Sequence, residues 1–219
     1  MKTVTSSPED NERLQDLGRA SMQIVHDLKN QLNGLKLYAT FLRRRIEKTE
    51  RPGDEQETIA KLINGLDRTA EDLSMIVRYG QPVELKKQAG VEVDKVLRAV
   101  CASLNENGAT ITLNGSSEGI QGSLDLFKLT DAFKWLCGGA LKHRQNGDEA
   151  GEVSVSARTE GDEAVIEWSG VRNLDHDPFR SFAGSDEIKL ALAAKIVEAH
   201  GGSAKFLDGK FIVMIPLGG

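Results

Sequence analysis

The chain has 219 residues, 39% of them hydrophobic, which suffices for one large or two small domains with ordinary cores. A formal net charge of -5 argues against nucleic acid as a partner. No apolar run approaches the roughly 18–20 residues that span a bilayer, and the polar start MKTVTSSPEDNER has no signal-peptide character. A cytoplasmic protein without membrane insertion is expected. Cys101 and Cys137 stand far apart in apolar helical contexts and read as buried free thiols. The histidines at positions 26, 143, 176 and 200 show no metal-ligand spacing.

Ser7 and Pro8 read as the cap and first turn of a helix that runs to about Lys48 and stops at the breaker cluster Glu50-Arg51-Pro52-Gly53-Asp54. Along it, Leu14, Leu17, Ser21, Ile24, Leu28, Leu32, Leu35, Ala39, Leu42 and Ile46 recur in steps of three and four, the seam of a helix in a bundle. A second helix carries Ile59, Leu62, Ile63, Leu66, Ala70, Leu73, Ile76 and Val77 on its stripe and ends near Gly80. The pair predicts an antiparallel hairpin over residues 1–80, and the length of its seam predicts pairing with a second copy into a four-helix bundle.

From residue 81 to 219 the composition shifts to short strands and helices. Helices are expected over Glu92 to Leu104, Leu124 to His143 and Ser185 to His200, the last stopped by Gly201-Gly202. Strands are expected at 109–113, at 153–158 and 164–168 around Gly161-Asp162, and at 205–207 and 211–215 around Asp208-Gly209. The second domain is therefore an α+β sandwich with helices on one face of a mixed sheet.

On the first helix, at about 100° per residue, His26 lies roughly 200° from both Ile24 and Leu28 and so faces away from the seam, with Asn30 and Asn33 following on that outer face. By position alone these are residues of a solvated helix face. His26-Asp27-Leu28-Lys29-Asn30-Gln31-Leu32, however, resembles the phosphoacceptor box of bacterial sensor histidine kinases: a histidine, an acid directly after it, and an Asn or Thr four residues on. Neutral imidazole is a nucleophile towards phosphorus, and an adjacent carboxylate can orient the ring or accept its proton. The resemblance implies that His26 carries the phosphoryl group and that Asp27 and Asn30 support its transfer. Lys195-Ile196-Val197-Glu198-Ala199-His200-Gly201-Gly202 is similar to the helix ending of the family's ATPase domain, so the resemblance spans about Leu14 to Leu217.

The second domain departs from the family where nucleotide is held. In place of Asn-x-x-x-Asn-Ala-x-Lys-His stands Trp135-Leu136-Cys137-Gly138-Gly139-Ala140-Leu141-Lys142-His143, with Trp135 and Gly139 at the asparagine positions and no side-chain oxygen for a hard cation. The adenine-reading Asp-x-Gly-x-Gly is replaced by Ser169-Gly170-Val171-Arg172-Asn173, and Asp175 and Asp177 do not fit its spacing. The phosphate-cradling Gly-x-Gly falls on Glu187-Ile188-Lys189, and the lid segment between Gly170 and Gly184 is short. Sliding the alignment restores none of these, because no asparagine lies between Gly119 and Lys142 and no Gly-x-Gly between Trp168 and His200.

The expectation is a homodimeric histidine phosphotransferase with a degenerate histidine-kinase-type ATPase domain. It would pass a phosphoryl group between the aspartates of response-regulator receiver domains through His26. No cofactor or metal would be bound by this chain, and Mg²⁺ would sit in the receiver's own acidic pocket. Asn33 and Leu37, the latter apolar on a polar face, are the expected receiver contacts. Two alternatives remain: a divergent ATP-dependent kinase using Lys142, Lys189 or Arg172 on the phosphates, and a non-catalytic module that binds a regulator. The run Arg43-Arg44-Arg45 would serve the latter, or is a solvated helix end.

Overall fold

The computed structural model describes residues 8–47, 53–115, 119–144, 152–182 and 185–218. The chain divides into two compact units, Met1–Gln81 and Pro82–Gly219. The expected cap at Ser7 lies outside the described residues. Among the described residues, no helix is long and apolar enough to cross a membrane.

The first unit is the helix pair α1 (Pro8–Glu47) and α2 (Gly53–Gly80). Lys36 pairs with Asp67 at 2.5 Å, while Ile46 shares a small cavity with Glu55, Thr58 and Ile59, so the helices run antiparallel. Both partners of that ion pair are half exposed, and its contribution to stability is small. The seam expected as one buried line divides in two. Ala39 is buried and Leu32 and Ile46 are partly covered, together with Ile63 of α2. Leu28, Leu35 and Leu42, the alternate members of the repeat, are 44%, 54% and 55% exposed. On α2, Leu62 and Ile76 stay exposed as well. A single hairpin covers only one edge of a stripe this wide, because a two-helix contact spans roughly one line of a and d positions on each helix.

The second unit contains β1 (Gln88–Glu92), α3 (Val93–Glu106), β2 (Ile111–Leu113), β3 (Gln121–Leu124), α4 (Leu126–Lys142), β4 (Val153–Glu160), β5 (Glu163–Ser169), α5 (Ser185–Ala199), β6 (Ser203–Leu207) and β7 (Lys210–Pro216). The main sheet has the order β2-β4-β5-β7-β6, with β2 and β4 parallel and the other neighbours antiparallel. Alternation places Val153, Val155 and Ala157 of β4 and Phe211, Val213 and Ile215 of β7 on one buried face. There they meet Leu97 of α3, Phe133 and Leu136 of α4 and Leu190 and Ile196 of α5 in one core. Trp168 is fully buried in it, tilted against Phe133 at 5.9 Å, with its indole N–H donating to the Cys137 sulfur at 3.2 Å. Both cysteines are buried and free. The β6–β7 turn has Asp208 and Gly209 at φ 49° and 69°, the two positive values that a tight twisted hairpin turn demands.

The sequence reading missed β1 and β3, which pair as a separate two-stranded antiparallel sheet. Gln-Ala-Gly-Val-Glu and Gln-Gly-Ser-Leu show neither alternation nor β-branched enrichment. What fixes them is tertiary: a Cβ built on Gly122 would stand 3.1 Å from Leu217, and the Val93 N–H donates to the Ile120 carbonyl.

The His200-Gly201-Gly202 ending is structural here. A Cβ on Gly202 would stand 2.1 Å from the Met214 carbonyl oxygen, so helix and sheet approach this closely only over glycine. The His200 ring is buried, with Nδ1 donating to the Ile196 carbonyl at 2.8 Å and Nε2 accepting the Asp125 N–H at 3.0 Å. Asp125 in turn caps α4 by accepting from the Lys128 N–H at 3.0 Å and takes the Lys86 N–H at 2.7 Å. Burial pushes the imidazole below its ordinary pKa of 6.5, against the opposing pull of the Ile196 carbonyl and Asp125. A depressed folded-state value means that the stabilisation is complete above the unfolded pKa and is lost as pH falls through it towards the folded one. Melting temperature is therefore expected to fall as pH is lowered below about 6.5. His200→Gln, whose amide oxygen can still accept the Asp125 N–H, should flatten the profile; an unchanged profile would remove His200 as its cause.

Candidate functional site

On the first unit, the phosphoacceptor-like box lies within α1. The side chains of His26 and Asp27 lie outside the described residues. Asn30, Asn33 and Leu37 are exposed, Leu37 by 55%. Phe41, one turn further on, is 57% exposed and extends the same helical stripe. The sequence reading named Leu37 and missed Phe41. The i,i+4 spacing from Leu37 was the signal that would have found it.

On the second unit, α4 and α5 enclose a cleft of about 330 Å³. Lys134, Gly138 and Lys142 follow one another at i, i+4 and i+8 along the α4 side, with Trp135 beside them, and Asp186 and Lys189 come from α5. Lys142 Nζ lies 2.9 Å from one Asp186 oxygen and Lys189 Nζ 3.9 Å from the other. Lys142 holds the Asp186 carboxyl below the usual carboxylate range, with Lys189 adding to the effect.

Gly139, at an asparagine position of the resembled box, has no room for a side chain. A Cβ there would sit 2.6 Å from Leu190 Cδ2 and 2.9 Å from Cδ1, and Leu190 is fully buried. The space that a metal-binding amide would occupy is filled by leucine methyls. Trp135 offers no oxygen, and among the described residues no group of three or more His, Cys, Asp or Glu could hold a metal ion. Asp186 is engaged by two lysines. The residues do not fit a magnesium–nucleotide complex.

The other substituted motifs are committed to structure as well. Val171 stands fully buried in the segment after β5, bridged to Arg144, with the Arg172 N–H donating to the His143 carbonyl at 2.8 Å. Asp175 and Asp177 are exposed, and Asp177 accepts the Phe179 N–H at 3.0 Å. Phe179 anchors the segment after β5 in the core, edge-on to Phe211 at 5.4 Å. Glu187, where the resembled pattern has glycine, accepts from the Ser181 hydroxyl and lies 3.4 Å from His176. His143 is buried with neither ring nitrogen hydrogen-bonded among the described residues, and burial, then Lys142 and Arg172, depress its pKa.

No family model matches this chain, and no curated protein matches it. Solved structures do. The full-length ShkA complex with AMPPNP is 20% identical with a TM-score of 0.67, over 89% of this chain and 44% of that one. The Acinetobacter baumannii histidine kinase AdeS is 16% identical with a TM-score of 0.59, over 88% of this chain and 98% of that one. The histidine kinase ThkA in complex with the response regulator TrrA is 19% identical with a TM-score of 0.63, over 94% of this chain and 64% of that one. This chain thus spans less than half of the ShkA chain and about two thirds of the ThkA complex chain. The fold is of the histidine-kinase type: a helical region followed by an α/β domain of the catalytic kind.

Proposed function

We propose that this chain is a histidine phosphotransferase of two-component signalling, and that it relays a phosphoryl group between receiver domains through His26. One observation carries the reading: on a histidine-kinase-type fold with a phosphoacceptor-like box in α1, the place of the metal-binding amide is closed by Leu190 against Gly139. Such a chain keeps a group that can carry phosphate and lacks the means to take it from magnesium–ATP.

In the step proposed, the unprotonated ring nitrogen of His26 attacks the phosphorus of a receiver's aspartyl phosphate. The P–N bond forms as the P–O bond to the aspartate breaks, and the receiver recovers its carboxylate. The adjacent carboxylate of Asp27 is proposed to orient the ring or to accept its proton. Reversal on a second receiver returns the group. Little covalent work is asked of the protein beyond positioning and charge compensation, and the receiver's own acidic pocket supplies Mg²⁺. The active species is proposed to be a homodimer. Leu28, Leu35 and Leu42 are already about half covered, so completing their burial in a four-helix bundle would contribute about half of the roughly 1.5–3 kcal/mol of a full transfer for each side chain.

The test is transfer of labelled phosphate from a phosphorylated receiver to this chain, run beside an incubation with ATP and Mg²⁺. Rapid labelling of His26 from the receiver and none from ATP is expected. Labelling from ATP would replace the relay by the divergent-kinase alternative, and labelling from neither source would leave the regulator-binding module. Leu37 and Phe41 are the proposed receiver anchors. Leu37→Glu and Phe41→Glu should each raise the receiver concentration needed for half-maximal transfer by about tenfold or more, with the melting temperature unchanged. Unaltered concentration dependence would place the docking surface elsewhere.

A further inference from the structure

We propose that Cys101 and Cys137 are an oxidisable thiol pair, which hydrogen peroxide converts to a disulfide joining α3 to α4. The inference is independent of the phosphotransfer reading, since it concerns side chains of the second unit that the relay leaves unused.

The chain has two cysteines, and the fold brings them together. Cys101 belongs to the buried stripe of α3 with Leu97 and Val100, and Cys137 to that of α4 with Phe133 and Leu136. The two helices pack in one core, and the two thiols hydrogen-bond across their contact. Cysteines whose side chains point apart cannot be bridged without moving backbone, whereas sulfurs already in contact need little movement. Packing alone asks for two small apolar side chains here and gives no reason for the thiols to meet.

The hydrogen bonds also have a direction. The Trp168 indole N–H donates to Cys137 Sγ at 3.2 Å, and the Cys137 S–H donates onward to Cys101. Such a chain favours negative charge at its far end. It holds the Cys101 thiol below its ordinary range, against the opposing effect of burial, while the bond to Cys101 and then burial push the Cys137 thiol up. Cys101 is therefore the nucleophile and Cys137 the resolving thiol. Cys101 is also the less enclosed of the two, 4% exposed against 0%, which suits an oxidant little larger than water and excludes a bulky disulfide.

In the first step the Cys101 thiolate attacks one peroxide oxygen. The S–O bond forms as the O–O bond breaks, and the hydroxide released takes up the proton that Cys101 had lost. The Cys137 sulfur then attacks the sulfenic sulfur, and its proton passes to the departing hydroxide as the S–S bond replaces the S–O bond. Two thiols and one hydrogen peroxide give one disulfide and two waters.

The test exposes the native full chain to hydrogen peroxide, then denatures it in an alkylating agent and maps the peptides. An intrachain Cys101–Cys137 cross-link, reversed by dithiothreitol, is expected, and His26→Ala should form it equally. The bond closes a loop that contains β2 and β3, so the oxidised chain should melt several degrees above the reduced one. Cys137→Ala should stop at a Cys101 sulfenic acid that dimedone traps, and Cys101→Ala should slow oxidation of the remaining thiol about tenfold or more. The parent chain carries the decisive measurement, so the proposal does not depend on either variant folding. Thiols still open to alkylation after peroxide, a cross-link only between chains, or a cross-link that lowers the melting temperature would overturn it.

Discussion

His26→Ala is expected to remove phosphoryl transfer from a receiver to this chain, a loss of at least about a thousandfold, because it deletes the imidazole on which the proposed P–N bond forms. Asp27→Asn keeps the proposed nucleophile and loses the carboxylate proposed to orient it or accept its proton, and should slow transfer by about a hundredfold at saturating receiver. Asn30→Ala should act mainly on the return of phosphate to water or to the receiver, with transfer to His26 less affected. Single-turnover labelling at saturating receiver resolves the three, and melting curves guard against loss of the helix pair. If His26→Ala still becomes labelled, the acceptor lies elsewhere and the relay reading fails.

The second large effect distinguishes two adjacent glycines. Gly139→Asn, which restores the resembled family's residue, forces a Cβ within 2.6 Å of Leu190 Cδ2 in a fully buried contact. Overpacking of this kind costs about 1–3 kcal/mol, a drop of several degrees in melting temperature. Gly138→Ala, one residue earlier, meets open space and gains helix propensity, so it should be neutral or more stable by about 0.5–1 kcal/mol. Adding Trp135→Asn to Gly139→Asn is not expected to bring magnesium-dependent ATP binding, because Leu190 still fills the amide's place and Asp186 still answers to two lysines. A double variant as stable as the parent that binds ATP tightly with magnesium would show that the nucleotide site was never structurally closed.

The contrast between those glycines marks the boundary of what a sequence can say. Reading Trp135 and Gly139 against the family pattern identified missing oxygens, but not that Leu190 occupies the vacated space, nor that Gly138 opens a cleft between lysines four residues to either side. Lys189 and Asp186 reach that cleft from a helix more than forty residues away, and no local pattern announces such a meeting. The same limit explains β1 and β3, which lack strand periodicity and are held by contacts with Leu217 and with the start of α3. It also explains His200, whose motif was legible as a family mark while its work, accepting the Asp125 N–H beneath the α4 cap, was not.

By itself the sequence determined the order of the helices and of the main-sheet strands and the kind of fold, because period 3.6 and period 2 patterns, together with Pro and Gly breakers, are local consequences of backbone geometry. It also showed a box resembling the family's phosphoacceptor histidine and departures from the family's nucleotide motifs, since residue identities need no coordinates. The tertiary structure decided which half of the α1 seam α2 covers, leaving Leu28, Leu35 and Leu42 open. It decided too that the metal-amide position is filled by an apolar side chain and that a cleft lined by lysines and Asp186 lies beside it. Burial and close approach depend on what distant segments bring to the same place, and that is a property of packing, which sequence periodicity constrains without specifying.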